Sequence, residues 1–93
     1  MQSIEEYIPR DRFISRKALS DLCGLSDRHM RREIERARRR GVMIVSNTKA
    51  GGYKLAQNGA EWSEFVDRER HRAIATFKRA TGIPEEQIRG III

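Results

Sequence analysis

Apolar side chains recur along the chain in short bursts whose spacing changes, and the changes mark element boundaries. Ser3, Ile4, Glu5 and Glu6 form a capping-box pattern, with Ile4, Tyr7 and Ile8 as the apolar members, so a short helix is expected over residues 4–8, stopped by Pro9. Phe13 and Ile14 read as a short extended piece. Ser15 then caps a second helix over residues 16–23 with Leu19, Leu22 and Cys23 inward. Gly24 suits the left-handed position that ends a helix, Leu25 fills the turn, and Ser26 caps a third helix over residues 27–40 that stops at Gly41. On this third helix Met30, Ile34 and Ala37 fall at steps of four and three, one stripe that requires a core. At 100° per residue Arg32 points about 160° away from Ile34 and Arg28 about 120°, whereas Arg38, about 40° away, is expected to snorkel beside the core.

The period then shifts from helical to alternating. Residues 42–46 are β-branched, 47–52 are turn-rich and 53–56 return, a hairpin whose best core candidates are Ile44 and Leu55. Asn58 with Glu61 repeats the capping pattern and opens a long helix over residues 59–80, with Trp62, Val66, Ala73 and Phe77 on one side and Gly82 at its end. Ile83 and Pro84 introduce a last short helix through about residue 89, followed by Gly90 and the apolar Ile91, Ile92 and Ile93. The expectation is an α+β, mostly helical chain: residues 1–58 as a mixed helix and hairpin region and 59–93 as a helical extension in the same compact unit.

Charge changes this picture from a fold to a function. The 93 residues carry 19 Lys and Arg against 13 Asp and Glu, net +6. Residues 1–57 hold 13 basic and 7 acidic side chains while 58–93 hold six of each, and seven arginines lie between Arg28 and Arg40. Focused positive charge points to a polyanionic partner. No apolar run is long enough to span a bilayer, and Glu5 and Glu6 occupy the place of a basic leader region, so a cytoplasmic chain without a membrane partner is expected. One cysteine excludes an internal disulfide, and two histidines provide no cluster spaced for structural zinc; no cofactor is expected.

Two short helices about a glycine-containing turn, followed by a hairpin, is the order of a winged helix. Residues 14–58 resemble the biotin-repressor-type winged helix-turn-helix of bacterial regulators. The resemblance rests on Gly24, the apolar Leu25, the cap Ser26, the core positions Met30, Ile34 and Ala37, the helix-ending Gly41, and the return strand Gly52, Tyr53, Lys54, Leu55. More loosely, the whole chain resembles small winged-helix proteins of prophages and mobile elements in Gram-positive bacteria, where such a domain precedes a long helix. The first resemblance implies duplex DNA binding and transcription regulation, with helix 27–40 in the major groove and a wing over 46–53 on the backbone. It carries over neither biotin binding nor ligase activity, because no ligase domain is matched.

The candidate contacts follow from where such elements meet DNA. Arg28, His29, Arg31 and Arg32 occupy the first two turns of the third helix, where base edges are reached. Arg36, Arg39 and Arg40 are candidates for phosphates, with solvated pairing to Glu33 and Glu35 as the alternative. Arg16 and Lys17 hold the backbone from the second helix, the start capped by Ser26 offers free N–H groups, and Lys49 and Lys54 reach from the wing. A Cys23–His29 catalytic pair lacks a third orienting group, Asp27 reads as a helix-dipole partner, and Tyr53 suits sheet packing better than base stacking; no enzyme is expected. Ile74, Phe77, Ile91, Ile92 and Ile93 are the candidate surface for a homodimer through the long helix. Two other partner classes stay open: an RNA bound by the same arginines, and a protein recruited by the apolar tail in phage replication or packaging.

Overall fold

The computed structural model describes residues 3–47, 49 and 51–92. The protein is α+β and mostly helical, in the order of a 3-10 turn Ile4–Tyr7, strand β1 (Ile14–Ser15), helices α1 (Arg16–Cys23) and α2 (Asp27–Arg39), strands β2 (Ile44–Asn47) and β3 (Gly52–Leu55), and helices α3 (Gly59–Thr81) and α4 (Glu85–Ile92). It divides into two compact units, Met1–Trp62 and Ser63–Ile93. The division falls inside α3 because the first turn of that helix is tied to the hairpin: Asn58 Oδ1 accepts from Glu61 N at 2.9 Å, and the Glu61 carboxylate binds the Lys54 ammonium.

In the first unit local chemistry sets the helix ends. Ser15 Oγ accepts from Ala18 N at 3.1 Å, Ser26 Oγ accepts from His29 N at 3.3 Å, and Gly24 closes α1 at φ 69°. The first segment departs from expectation, a single 3-10 turn in which Ser3 makes no side-chain cap. Pro9 holds the preceding Ile8 in extended backbone (φ −102°, ψ 121°), so the chain cannot complete an α-turn there.

The core of this unit gathers Ile4, Ile8, Leu19, Met30, Ile34, Ala37, Ile44 and Tyr53, with Ile14, Cys23, Leu25, Val42 and Leu55 packed at its edge. Fully burying a side chain such as Leu19, Met30, Ile34 or Ile44 contributes about 1.5–3 kcal/mol. Leu22, expected inward, is 59% exposed. It lies about 60° around the helix from Leu19, Cys23 only about 40°, and the narrow buried face of a two-turn helix takes the nearer one.

Ile14–Ser15 joins the hairpin as a third, antiparallel strand, in the order β1-β3-β2, with Ile14 opposite Tyr53 and Ile44 opposite Leu55. Gly52 permits this: a Cβ there would sit 2.7 Å from the carbonyl oxygen of Ile14.

In the second unit the long helix carries no single apolar stripe. Phe65 and Ile74 are buried, about 180° apart around α3, while Ala73, expected inward, is exposed. Trp62, Val66 and Phe77 are half-buried, Trp62 as the last residue of the first unit. Gly82, at φ 72°, ends α3, and Ile88 of α4 is buried. The last helix continues through Gly90 to Ile92, past the expected end near residue 89. Among the described residues no helix is long and apolar enough to cross a membrane.

Candidate nucleic-acid interface

The outer face of α2 follows from its inner one. Because Met30, Ile34 and Ala37 are buried, Arg28, His29, Arg31, Arg32, Glu35, Arg36 and Arg39 are exposed. Most of the basic side chains on this helix and at its end are already engaged. Arg31 Nε lies 3.2 Å from Asp27 Oδ2, Arg36 Nη1 2.9 Å from Glu33 Oε1, and Arg39 Nη2 2.6 Å from Glu35 Oε1. Arg40 donates to both carboxylate oxygens of Glu5, at 3.1 and 3.0 Å, and Arg38 Nε donates to the Ile44 carbonyl at 3.0 Å beside the core, the snorkelling position its angle predicts.

Arg28 and Arg32 are different. They stand one helical turn apart, both exposed, and neither has a hydrogen-bond or ion-pair partner among the described residues. Like charges at this spacing repel by about 0.2–0.5 kcal/mol. The protein keeps that cost on an open surface, and a bound anion would remove it.

The start of α2 carries the rest of the geometry. Ser26 Oγ caps the helix and lies 3.1 Å from His29 Nδ1, so the imidazole is drawn towards the cap. Asp27 serves two arginines, Arg31 on its own helix and, more loosely at 4.0 Å, Arg16 at the start of α1. This bridging role goes beyond the helix-dipole partner expected of Asp27; its i,i+4 spacing to Arg31 was the available signal, whereas the approach of Arg16 needed the fold. Arg16 also borders an open cleft of about 300 Å³ together with Ser46, Asn47, Gly51, Gly52 and Tyr53. Guanidinium, hydroxyl, amide and backbone groups share its lining, a combination suited to a phosphate. Lys17 is exposed and pairs with Asp21 at 3.1 Å. Lys49, at the hairpin turn, is exposed, with its N–H donated to Asn47 Oδ1 at 3.0 Å.

Lys54 does not belong to this surface. It is 7% exposed, its ammonium binds Glu61 and lies 5.7 Å from the centre of the Phe13 ring. Strand alternation turns Lys54 away from the Tyr53 and Leu55 side, and the first turn of α3 covers the face it enters, so a residue expected on the wing is instead inside the first unit. The hydrogen bond from Lys54 holds the Glu61 carboxyl below the usual carboxylate range, against the opposing effect of desolvation. Tyr53 is buried in the core, as sheet packing requires.

Of the expected dimer residues, Ile74 is buried and Phe77 half-buried. The side chains of Ile91 and Ile92 and the whole of Ile93 lie outside the described residues. No group of three His, Cys, Asp or Glu side chains that could hold a metal ion occurs among the described residues.

Comparison with known proteins returns no matching family model, no significant match among curated proteins and none among solved structures.

Proposed function

We propose that the protein binds double-stranded DNA as a winged-helix transcriptional regulator, with α2 in the major groove and the hairpin turn on the flanking backbone. The observation that carries this reading is the pair of exposed arginines, Arg28 and Arg32, without a partner among the described residues, on the outer face of a helix where Arg31, Arg36 and Arg39 are paired with carboxylates. Guanidinium groups one turn apart match the O6 and N7 acceptors of guanines on a groove floor. Arg16, Lys17, Arg36 and Arg39 serve phosphates, exchanging their carboxylate partners for the stronger field of the duplex, and Lys49 adds a contact from the turn.

The test is fluorescence anisotropy of a labelled mixed-sequence duplex titrated at several salt concentrations, with unlabelled duplex and hairpin RNA as competitors. The expected result is a linear fall of log affinity with log salt, with a slope of about 0.9 per phosphate neutralised, and duplex DNA as the better competitor. Preference for the RNA hairpin, or no binding at low salt, overturns the reading.

A further inference from the structure

His29 stands in the first turn of α2, and its ring is held by the residue that caps the same helix. Ser26 Oγ accepts from His29 N at 3.3 Å and lies 3.1 Å from His29 Nδ1. Which nitrogen of a neutral imidazole carries the proton is set by the hydrogen bond that the other one makes. If Nδ1 carried it, two N–H groups would converge on one oxygen, beside the N–H groups that the start of a helix leaves unpaired, where further positive dipole is unfavourable. If the Ser26 hydroxyl donates to Nδ1, the hydroxyl accepts and donates at once, and the proton of the ring is left on Nε2. Nε2 has no partner among the described residues, and the side chain is exposed. At 100° per residue His29 lies about 60° around α2 from Arg32, at the flank of the face that carries both open arginines.

We propose that Ser26 is a positioning residue that fixes His29 as the Nε2–H tautomer, making His29 a hydrogen-bond donor that selects an acceptor-bearing base in the major groove. Guanine offers N7 and O6 there and thymine offers O4, whereas cytosine offers the N4 amino donor, so cytosine is the base that His29 excludes. A ring free to exchange tautomers presents either a proton or a lone pair at Nε2 and discriminates poorly. The selection of a base rests on the DNA-binding function proposed above; the tautomer does not, and the two are measured separately.

Without DNA, long-range proton–nitrogen NMR of the full chain in alkaline buffer is expected to show His29 with a protonated Nε2 and a bare Nδ1. His71, exposed and without a partner among the described residues, serves as the reference for a ring that exchanges freely. Ser26→Thr keeps the hydroxyl and is expected to keep the His29 pattern. Ser26→Asp keeps a good cap but its carboxylate only accepts, so the proton is expected to move to Nδ1. With DNA, sites are selected from a random duplex pool, and His29→Ala marks the base at which preference is lost. At that base the wild type and Ser26→Thr are expected to disfavour cytosine against guanine by about fivefold or more. Ser26→Asp is expected to abolish or reverse that ratio, whatever its added charge does to the overall affinity. A wild-type His29 that exchanges like His71 or carries its proton on Nδ1, a His29→Ala chain with unaltered preference, or an unchanged ratio in Ser26→Asp overturns the proposal and leaves duplex binding standing. Failure to bind any duplex overturns both the base selection and the function on which it rests.

Discussion

Arg28 and Arg32 are set apart from their neighbours on α2 by the absence of a carboxylate partner among the described residues, and the consequences can be measured one side chain at a time. If they read bases, Arg28→Ala or Arg32→Ala costs about 1–3 kcal/mol of binding to a selected site and relaxes its base preference, whereas Lys49→Ala weakens all sequences alike. Competition between selected and scrambled duplexes separates the two behaviours, and unchanged affinity in all three variants counts against the docking. Asp27 acts in the opposite sense. Its carboxylate occupies Arg31 and draws on Arg16, so Asp27→Asn is expected to tighten binding to scrambled DNA and to steepen its salt dependence. Lys54 and Glu61 concern stability. Glu61→Gln strands a buried ammonium without its counter-charge, whereas Lys54→Met removes the charge and keeps the apolar stem, so urea denaturation is expected to show the larger loss for Glu61→Gln. Because the folded carboxyl of Glu61 titrates below its unfolded value, its stabilisation is complete above the unfolded value and disappears as pH falls through the folded one. Acid titration of the wild type is expected to show that loss, and the Gln variant to lack it.

At the scale of elements, α1, α2 and the turn between them were readable because their determinants are local. Ser15, Gly24, Ser26 and Gly41 bound α1 and α2 through hydrogen bonds and backbone angles that span four residues or fewer. The stripe Met30, Ile34, Ala37 needs only the helical period. Strand β1 was harder to read, since two residues carry no period and Ile14–Ser15 becomes a strand only by pairing with Tyr53 and Gly52. That pairing depends on the missing side chain at position 52. Gly52→Ala would press a methyl group against the Ile14 carbonyl, and a loss of about 1–3 kcal/mol in chemical denaturation is expected, with β1 the first segment to lose amide protection. On α3 the periodic reading misassigned Ala73, because Phe65 and Ile74 are buried on opposite sides of one helix and no single stripe describes both. The hydrophobic pattern reports one environment per window, and this helix has more than one.

For the molecule as a whole, the two units differ in how they are held. The first has a contiguous cluster of eight buried residues and a three-stranded sheet; from Ser63 onwards the buried side chains among the described residues are Phe65, Ile74 and Ile88. Native-state hydrogen exchange is accordingly expected to be slowest in α2 and β3 and faster in α4, and equal protection throughout would contradict this ordering. The amino-acid sequence by itself determined the boundaries of α1 and α2, the inward face of α2, the hairpin and the concentration of arginine on one helix, because caps, turn residues and periodicity act over a few bonds. Only the tertiary structure decided the charges whose partners lie outside α2. Arg40 is taken by Glu5, 35 residues away, and Lys54 is drawn inward by Glu61 and Phe13, while Arg28 and Arg32 stay open. Arg31, Arg36 and Arg39 meet carboxylates three or four residues away on their own helix, a spacing legible in the sequence, whereas the partners of Arg40 and Lys54 are set by contacts between different elements of the packed chain.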